Sequence, residues 1–377
     1  MLYNDFKGLK LSALGMGCMR FPCVEGSDKV DIDATRQMVA YAMENGVNYY
    51  DTAWGYHGGQ SEPIMGELLS AYPRDSYYLA TKFPGYDIRN FGKVKEIFEE
   101  QLVRCKVDYF DFYLFHNVCE TNIDKYLNPE YRTAEYLIEQ KKNGRIRHLG
   151  FSLHGTLETT KRFLEAYGEH VEFCQIQLNW LDYDFQKAKL KVELLNSLNI
   201  PIWVMEPVRG GKLCQLEAGH EEKLRALRPE YKNPEWAFRF LQGIEGVTVT
   251  LSGMSNLTQL SENIATFKER KPLSDIERET LLDIAREMTS KGTLPCTSCR
   301  YCVDHCPQEL NIPRLIEIYN EYVYSKGGFL AAIGIRALPE DKRPAACIGC
   351  RSCEEVCPQN LKISEMMSTF AENLKKK

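Results

Sequence analysis

Over roughly the first 290 residues, short apolar runs alternate with segments whose apolar positions recur at helical spacing. The runs are Leu14–Met19, Val47–Ala53, Tyr77–Phe83, Tyr109–Asn117, Ile146–Leu153, Glu172–Asn179, Pro201–Pro207 and Val247–Gly253. Between the first two lies DIDATRQMVAYAMENG, which opens on acidic residues and ends at Asn45-Gly46, a start and a stop signal for a helix. In KVKEIFEEQLVRC, residues Val94, Ile97, Phe98 and Leu102 share one helical stripe. Near-continuous apolar strands separated by amphipathic helices predict a parallel sheet covered by helices, the α/β class. Eight such units predict a TIM (β/α)8 barrel. An open doubly wound sheet would need a G-x-G-x-x-G turn before its first helix. LGMGC, at Leu14–Cys18, does not match it. Ahead of the first run, NDFKGLKLSAL predicts a hairpin that closes the barrel floor.

The pattern changes after that. Ile312, Leu315, Ile316, Ile318, Tyr319 and Tyr322 predict one amphipathic helix, and Leu361, Ile363, Met366 and Phe370 a second. The expected organisation is a barrel over residues 1–288 and a small, mostly helical domain over 289–377. A chain of 377 residues with 44% apolar and 26% charged residues suits a barrel-sized core plus a smaller one. A net charge of −5 provides no basic face, which argues against nucleic acid as a partner. No run approaches the roughly eighteen apolar residues of a membrane span, and MLYNDFKGLK lacks the features of a signal peptide, so a cytoplasmic, membrane-free protein is expected.

Of fourteen cysteines, Cys18, Cys23, Cys105, Cys119, Cys174 and Cys214 are scattered and read as small core residues. The other eight form two runs. Cys296, Cys299, Cys302 and Cys306 precede Pro307, and Cys347, Cys350, Cys353 and Cys357 precede Pro358, each run spelling C-x2-C-x2-C-x3-C-P. Three thiolates at that spacing wrap one iron–sulfur cubane, and the fourth, turned away by its proline, reaches the other cluster. One [4Fe–4S] cluster is therefore expected on Cys296, Cys299, Cys302 and Cys357, and a second on Cys347, Cys350, Cys353 and Cys306. Tetrahedral zinc is the competing use of C-x2-C pairs. From about residue 290 the chain resembles the ferredoxin-like tails, including the α-helical ferredoxin type, that are fused to redox enzymes.

A barrel carries its chemistry at the C-terminal ends of its strands. There the chain places Asp51 at the end of the second run and Tyr56 just beyond it, Lys82 at the end of the third and His116 at the end of the fourth. With these four, and with LGMGCMR, MEPVRGGKL and QLSENI, residues 8–285 resemble the aldo-keto reductase superfamily. The resemblance implies hydride transfer between a nicotinamide and a carbonyl or alcohol substrate. Tyr56 would act as general acid, Lys82 would stabilise its phenolate, Asp51 would hold Lys82, and His116 would orient the carbonyl oxygen.

The resemblance also implies Ser152 and Gln175 as nicotinamide contacts, with Glu262 and Asn263 at the adenine. Met205 or Glu206 stands where relatives often stack an aromatic ring. Arg209 could reach a pyrophosphate or lie solvated in its loop. The stretch Gly253–Leu260 holds no cation for a 2′-phosphate, so NAD(H) is as plausible as NADP(H). Trp54 and Tyr86, with the loops Asn117–Arg132 and Tyr86–Phe91, are candidate substrate-lining positions, whereas His57 and His154 read as surface residues.

Hydride carries two electrons and each cluster takes one, a gap that a flavin usually bridges, although the sequence carries no signature for one. Three readings follow. In the first, the barrel oxidoreductase is coupled through its clusters to an electron-transfer protein or a second redox centre. In the second, a carbonyl reductase carries structural or docking clusters. In the third, the barrel senses nicotinamide redox state without significant turnover.

Overall fold

The computed structural model describes residues 1–376. Two compact units divide between Leu282 and Asp283, within the helix Asp275–Ser290 and a little before the expected boundary.

In the first unit, strands β1 (Tyr3–Phe6) and β2 (Leu9–Ser12) pair antiparallel across Lys7-Gly8. Both turn residues have positive φ, 51° and 85°, the backbone that a tight two-residue hairpin requires. All eight apolar runs then become strands: β3 (Leu14–Gly17), β4 (Tyr49–Asp51), β5 (Tyr78–Phe83), β6 (Phe110–Val118), β7 (Ile146–Leu153), β8 (Cys174–Gln177), β9 (Ile202–Met205) and β10 (Val247–Ser252). They pair in parallel, and β10 joins both β9 and β3 to close the barrel.

The barrel is filled from below by aromatic rings. Phe6, carried in by the hairpin, packs with Tyr49, Phe112, Phe173 and Trp203 in a buried cluster. Its ring centroid lies 5.0 Å from that of Trp203 and 5.7 Å from that of Phe112. A two-stranded hairpin is marginal on its own, and burying one phenyl ring contributes roughly 2 kcal/mol. The floor therefore forms because the hairpin and the barrel complete each other. Packing is close enough that Gly150 admits no side chain, since a Cβ there would lie 2.5 Å from the Phe173 ring.

The helices obey their sequence signals. Asp31 caps the helix Ile32–Glu44 by accepting from the Ala34 N–H, and the chain leaves it through Asn45 and Gly46, whose φ is 81°. The helix Val94–Cys105 buries Val94, Ile97, Phe98 and Leu102, the expected stripe, together with Gln101.

The second unit is built on a repeat. Ser298, Arg300 and Glu309 have φ of 57°, 69° and 51°, and Gly349, Arg351 and Asn360, at corresponding positions of the second cysteine run, have 74°, 65° and 50°. Each run leads into a helix, Ile312–Ser325 and Ile363–Lys375, whose apolar faces share one core containing Leu315, Ile316, Met367 and Phe370. A helix at Phe329–Arg336 has no counterpart in the expected elements. Its sequence, FLAAIGIR, is apolar almost throughout and shows no amphipathic period. Gly334 lets it approach Ile318.

One expectation needs correction. Cys18, Cys105, Cys119 and Cys174 are buried, but Cys23 is exposed and Cys214 half-buried, so these two are not core residues. Cys23 lies in the loop after β3, where the chain turns out toward solvent. Among the described residues, no helix is long and apolar enough to cross a membrane.

Candidate functional site

Alternation along the strands decides which side chains reach the top of the barrel. Tyr49, Ala80, Phe112, Leu114, Phe173 and Trp203 fill the interior. Two residues further along the same faces come Asp51, Lys82, His116, Gln175 and Met205. The β-period thus stacks a polar layer on the aromatic one.

At its centre, Lys82 is fully buried, and its Nζ donates to Asp51 Oδ1 at 2.6 Å and to the Thr52 carbonyl at 2.7 Å. Tyr56 sits in the turn after β4, its ring centroid 5.1 Å from Lys82 Nζ and 6.2 Å from the edge-on His116 ring. Tyr86 packs edge-on against His116 at 5.3 Å. Its hydroxyl covers Gly55, where a Cβ would lie 2.3 Å away. All four strand-end groups are therefore gathered in one place.

Their ionisation is set by burial. The Tyr56 phenol is pushed well above the usual tyrosine value by desolvation and then by the Asp51 charge. His116 is pushed well below the usual imidazole value by desolvation and then by the Lys82 ammonium. Burial raises the Asp51 carboxyl, and Lys82 opposes that rise. Near neutrality Tyr56 holds its proton and His116 is uncharged. Asp51 Oδ2, His116 Nδ1, Asn117 Oδ1 and Gln175 Oε1 are buried with no hydrogen-bond partner, as expected of groups that meet a bound molecule.

The implied nicotinamide contacts divide. Ser152 and Gln175 are register partners on β7 and β8; Ser152 Oγ accepts from the Asn117 N–H at 2.8 Å, and Gln175 Nε2 points at Met205 Sδ, 3.6 Å away. Glu206 follows Met205 with a φ of 58°. Arg209 is no solvated loop residue, for it is buried and its Nε donates to both oxygens of Asp182, at 3.0 and 3.1 Å. Asn263, on the helix Leu257–Thr266 after β10, is buried and donates to Ser252 Oγ at 3.2 Å, while Glu262 pairs with Lys232.

Sequence reasoning missed Arg20. Gly253–Leu260 has no cation of its own, but closure of the barrel sets the loop after β3 beside β10. The Arg20 stem consequently lies on Gly253, with Arg20 Cβ 3.1 Å from where a Cβ at Gly253 would sit. Arg20 Nη2 lies 3.3 Å, and Glu206 Oε2 3.6 Å, from the position of a Cβ on Gly210. Only the β10–β3 pairing could have revealed this proximity.

His57 and His154, read as surface residues, are each half-buried. His57 stacks on Phe21, and its Nε2 accepts from the Phe21 N–H at 3.0 Å. Burial pushes the half-buried His154 down to about 4. Behind β5, the buried Glu62 carboxylate accepts from Thr81 Oγ1 at 2.7 Å and from Gln101 Nε2 at 2.6 Å. Gln101 Nε2 also donates to the Lys82 carbonyl at 3.0 Å. The Arg104 guanidinium donates to Glu62 at 3.4 Å and lies 3.6 Å over the Trp54 ring. One network therefore steadies both the Lys82 backbone and the residue that leads into the Tyr56 turn.

In the second unit the eight cysteines gather around two cavities in crossed sets. Cys306, Cys347, Cys350 and Cys353 line one, and Cys296, Cys299, Cys302 and Cys357 line the other. Apolar side chains including Ile312, Met367, Ile316 and Leu361 complete the walls. The Ser298 N–H points at Cys296 Sγ at 3.4 Å, a thiolate-directed contact. Among the described residues, no three His, Cys, Asp or Glu side chains close on a single-ion position. Each set brings four sulfurs to one cavity, a donor set that fits a [4Fe–4S] cluster.

Comparison with known proteins agrees with this division. The family model described as "Aldo/keto reductase family" matches residues 13–284, and that described as "4Fe-4S dicluster domain" matches 295–362. The uncharacterized oxidoreductase YqkF of Bacillus subtilis is 26% identical over 294 residues, covering 70% of this chain and 89% of that protein. The NADH-specific methylglyoxal reductase of Escherichia coli is 26% identical over 226 residues, 54% of this chain and 66% of that one. The solved structure of the aldo-keto reductase AKR11C1 from Bacillus halodurans in its holo form superposes with a TM-score of 0.60 at 25% identity, covering 74% of this chain and 93% of that chain. The chain belongs to the aldo/keto reductase family, an oxidoreductase whose barrel is followed by a 4Fe–4S dicluster domain.

Proposed function

We propose that the barrel moves a hydride between NAD(H) or NADP(H) and a small carbonyl or alcohol substrate, with Tyr56 as the proton donor. The observation that carries this reading is the buried Lys82–Asp51 pair, 2.6 Å apart, facing Tyr56 and a neutral His116. When bound, the nicotinamide supplies or accepts the hydride. Tyr56 keeps its proton until negative charge develops on the carbonyl oxygen, because burial and Asp51 disfavour its phenolate. The Lys82 ammonium, anchored by Asp51 and the Thr52 carbonyl, is the positive charge that meets the phenolate as it forms. His116 orients the carbonyl oxygen by hydrogen bonding.

In this reading Ser152 and Gln175 would hold the carboxamide, Met205 or Glu206 would stand where relatives often stack an aromatic ring, and Asn263 and Glu262 would contact the adenine. Arg20 supplies the cation for the cofactor phosphates that the stretch after β10 lacks. Arg209, committed to Asp182, holds its own loop in place. The named preference of the methylglyoxal reductase supports NADH as a usable form.

The two cysteine-lined cavities hold [4Fe–4S] clusters in this reading, and these exchange single electrons with a separate carrier protein. Exposure of Cys299 and Cys350 supports that role, since it brings each cluster's edge to solvent. A flavin gains no support from the comparisons.

The test is reduction of a panel of small aldehydes by Tyr56→Phe on anaerobically prepared protein assayed for iron and sulfide. A loss of roughly a hundredfold or more in kcat with nucleotide affinity intact is expected. Full activity in the variant would sink the assignment.

A further inference from the structure

One stretch of the barrel ladder is irregular. Phe115 of β6 and Phe151 of β7 are register partners whose rings both meet Phe163 on the covering helix Leu157–Tyr167, so both face out of the barrel. Leu153, two residues further along β7, faces the same way, and its partner on β6 is Val118. Between these two rungs β7 has one residue, Ser152, and β6 has two, His116 and Asn117. This is a β-bulge, and it leaves both His116 and Asn117 on the inner face, opposite Ser152. Asn117 takes the bend with a φ of 58°, a backbone that asparagine tolerates better than most residues. Its N–H donates to Ser152 Oγ and its carbonyl accepts from Asn122 Nδ2, each at 2.8 Å. Its side chain is buried, yet Oδ1 has no partner.

Three neighbouring strands therefore bring three uncommitted polar groups to one level. On β6 and β8 these are acceptors, Asn117 Oδ1 and Gln175 Oε1, both buried without a partner. Between them on β7 stands Ser152, the register partner of Gln175. Its hydroxyl accepts from the Asn117 N–H and, among the described residues, has no acceptor for its own proton. One donor flanked by two acceptors is the complement of a primary carboxamide, which has one carbonyl oxygen and two N–H bonds.

Resting on the nicotinamide reading above, we infer that Asn117 is a third carboxamide-binding residue of the dinucleotide site. Ser152 donates to the carboxamide oxygen, Gln175 Oε1 accepts one N–H and Asn117 Oδ1 accepts the other. A dinucleotide lacking those hydrogens leaves buried acceptors unpaired, so the site selects for the amide. The bulge thus gives one rung two tasks, with His116 turned to the substrate oxygen and Asn117 to the cofactor.

The test is equilibrium binding to the full holoprotein, anaerobically, of NAD+, NADP+ and their 3-acetylpyridine analogues, whose methyl ketone keeps the oxygen and lacks both N–H bonds. The ratio of Kd for analogue over parent should be about ten or more in the wild type. It should fall roughly fivefold in Asn117→Gly, which suits the left-handed backbone and removes the amide. Asn117→Asp keeps an acceptor, and its charge acts on both pyridinium rings alike, so its ratio should stay near wild type. A purely structural role would weaken parent and analogue equally. In the wild type alone, an arm that needs no variant to fold, the N-methylcarboxamide analogue keeps one N–H and should bind several-fold more weakly than the parent. A ratio unmoved by Asn117→Gly, or equal binding of the N-methyl analogue, would overturn the inference while leaving dinucleotide binding intact. Failure of the wild type to bind either NAD+ or NADP+ would overturn both readings together.

Discussion

Lys82 Nζ and Asp51 Oδ1 meet at 2.6 Å in a barrel layer where both side chains are buried. An ion pair in such a place is costly to break, because removing one partner strands the other's charge in a low-dielectric interior. Lys82→Met and Asp51→Asn should each destabilise the barrel by about 3 kcal/mol, read by urea denaturation. The double variant Asp51→Asn/Lys82→Met should regain much of that stability and none of the activity. Recovery of activity would show that the pair serves packing alone.

The ionisation of the two facing groups sets the pH profile. Because the folded Tyr56 titrates above the usual tyrosine value, of about 10, its acid function should persist through neutral and mildly alkaline pH and fall only beyond that value. Because His116 titrates well below the usual imidazole value, of about 6.5, the kcat profile should show no His116 inflection at that pH. An inflection there that vanishes in His116→Asn would contradict the neutral-imidazole assignment.

Glu172 ties the hairpin to the barrel. It resists the cost of burial through His148 Nδ1 at 2.7 Å and Lys7 Nζ at 2.7 Å, with Lys141 nearby, and its pKa is held down to about 2. A carboxyl depressed on folding contributes stability above its unfolded value, of about 4.3, and loses it as pH falls through the folded value. The melting temperature of Glu172→Gln should therefore lie below wild type at neutral pH, and the gap should close as pH falls from about 4.5 toward 2. A gap independent of pH would mean that shape, and not charge, makes the contact.

The crossed cysteine sets make a prediction that simple in-line ligation does not. Cys306→Ala should damage the cluster of Cys347, Cys350 and Cys353, and Cys357→Ala the cluster of Cys296, Cys299 and Cys302. Electron paramagnetic resonance of the singly loaded variants, with iron and sulfide analysis, reads out which centre survives. If each substitution removed the cluster of its own run, the crossed assignment would be wrong.

Much of this arrangement was legible in the chain. The eight strands announced themselves as apolar runs, because a parallel strand is covered on both faces and carries no polar alternation to obscure it. Asp51, Lys82 and His116 were recognisable by their place at the ends of those runs, and Tyr56 by its place just past one. What escaped depended on closure. Arg20 meets Gly253 only because β10 pairs with β3, a contact between the two ends of the barrel sequence that local periodicity does not encode. Arg209 looked solvated because PVRGG reads as a loop, and its Asp182 partner lies after a different strand. The helix Phe329–Arg336 escaped for the opposite reason, lacking the polar face that marks an amphipathic segment.

The crossed cavities also impose a schedule on the making of the protein. During synthesis the first cysteine run emerges with three members of one set and a single member of the other, so neither cavity has its four sulfurs before the second run appears, one being completed by Cys353 and the other by Cys357. Each proposed cluster thus has its full set of ligands only after the whole barrel sequence has been made. A chain cut short of the second run would therefore keep its barrel sequence but hold a full ligand set for neither proposed centre.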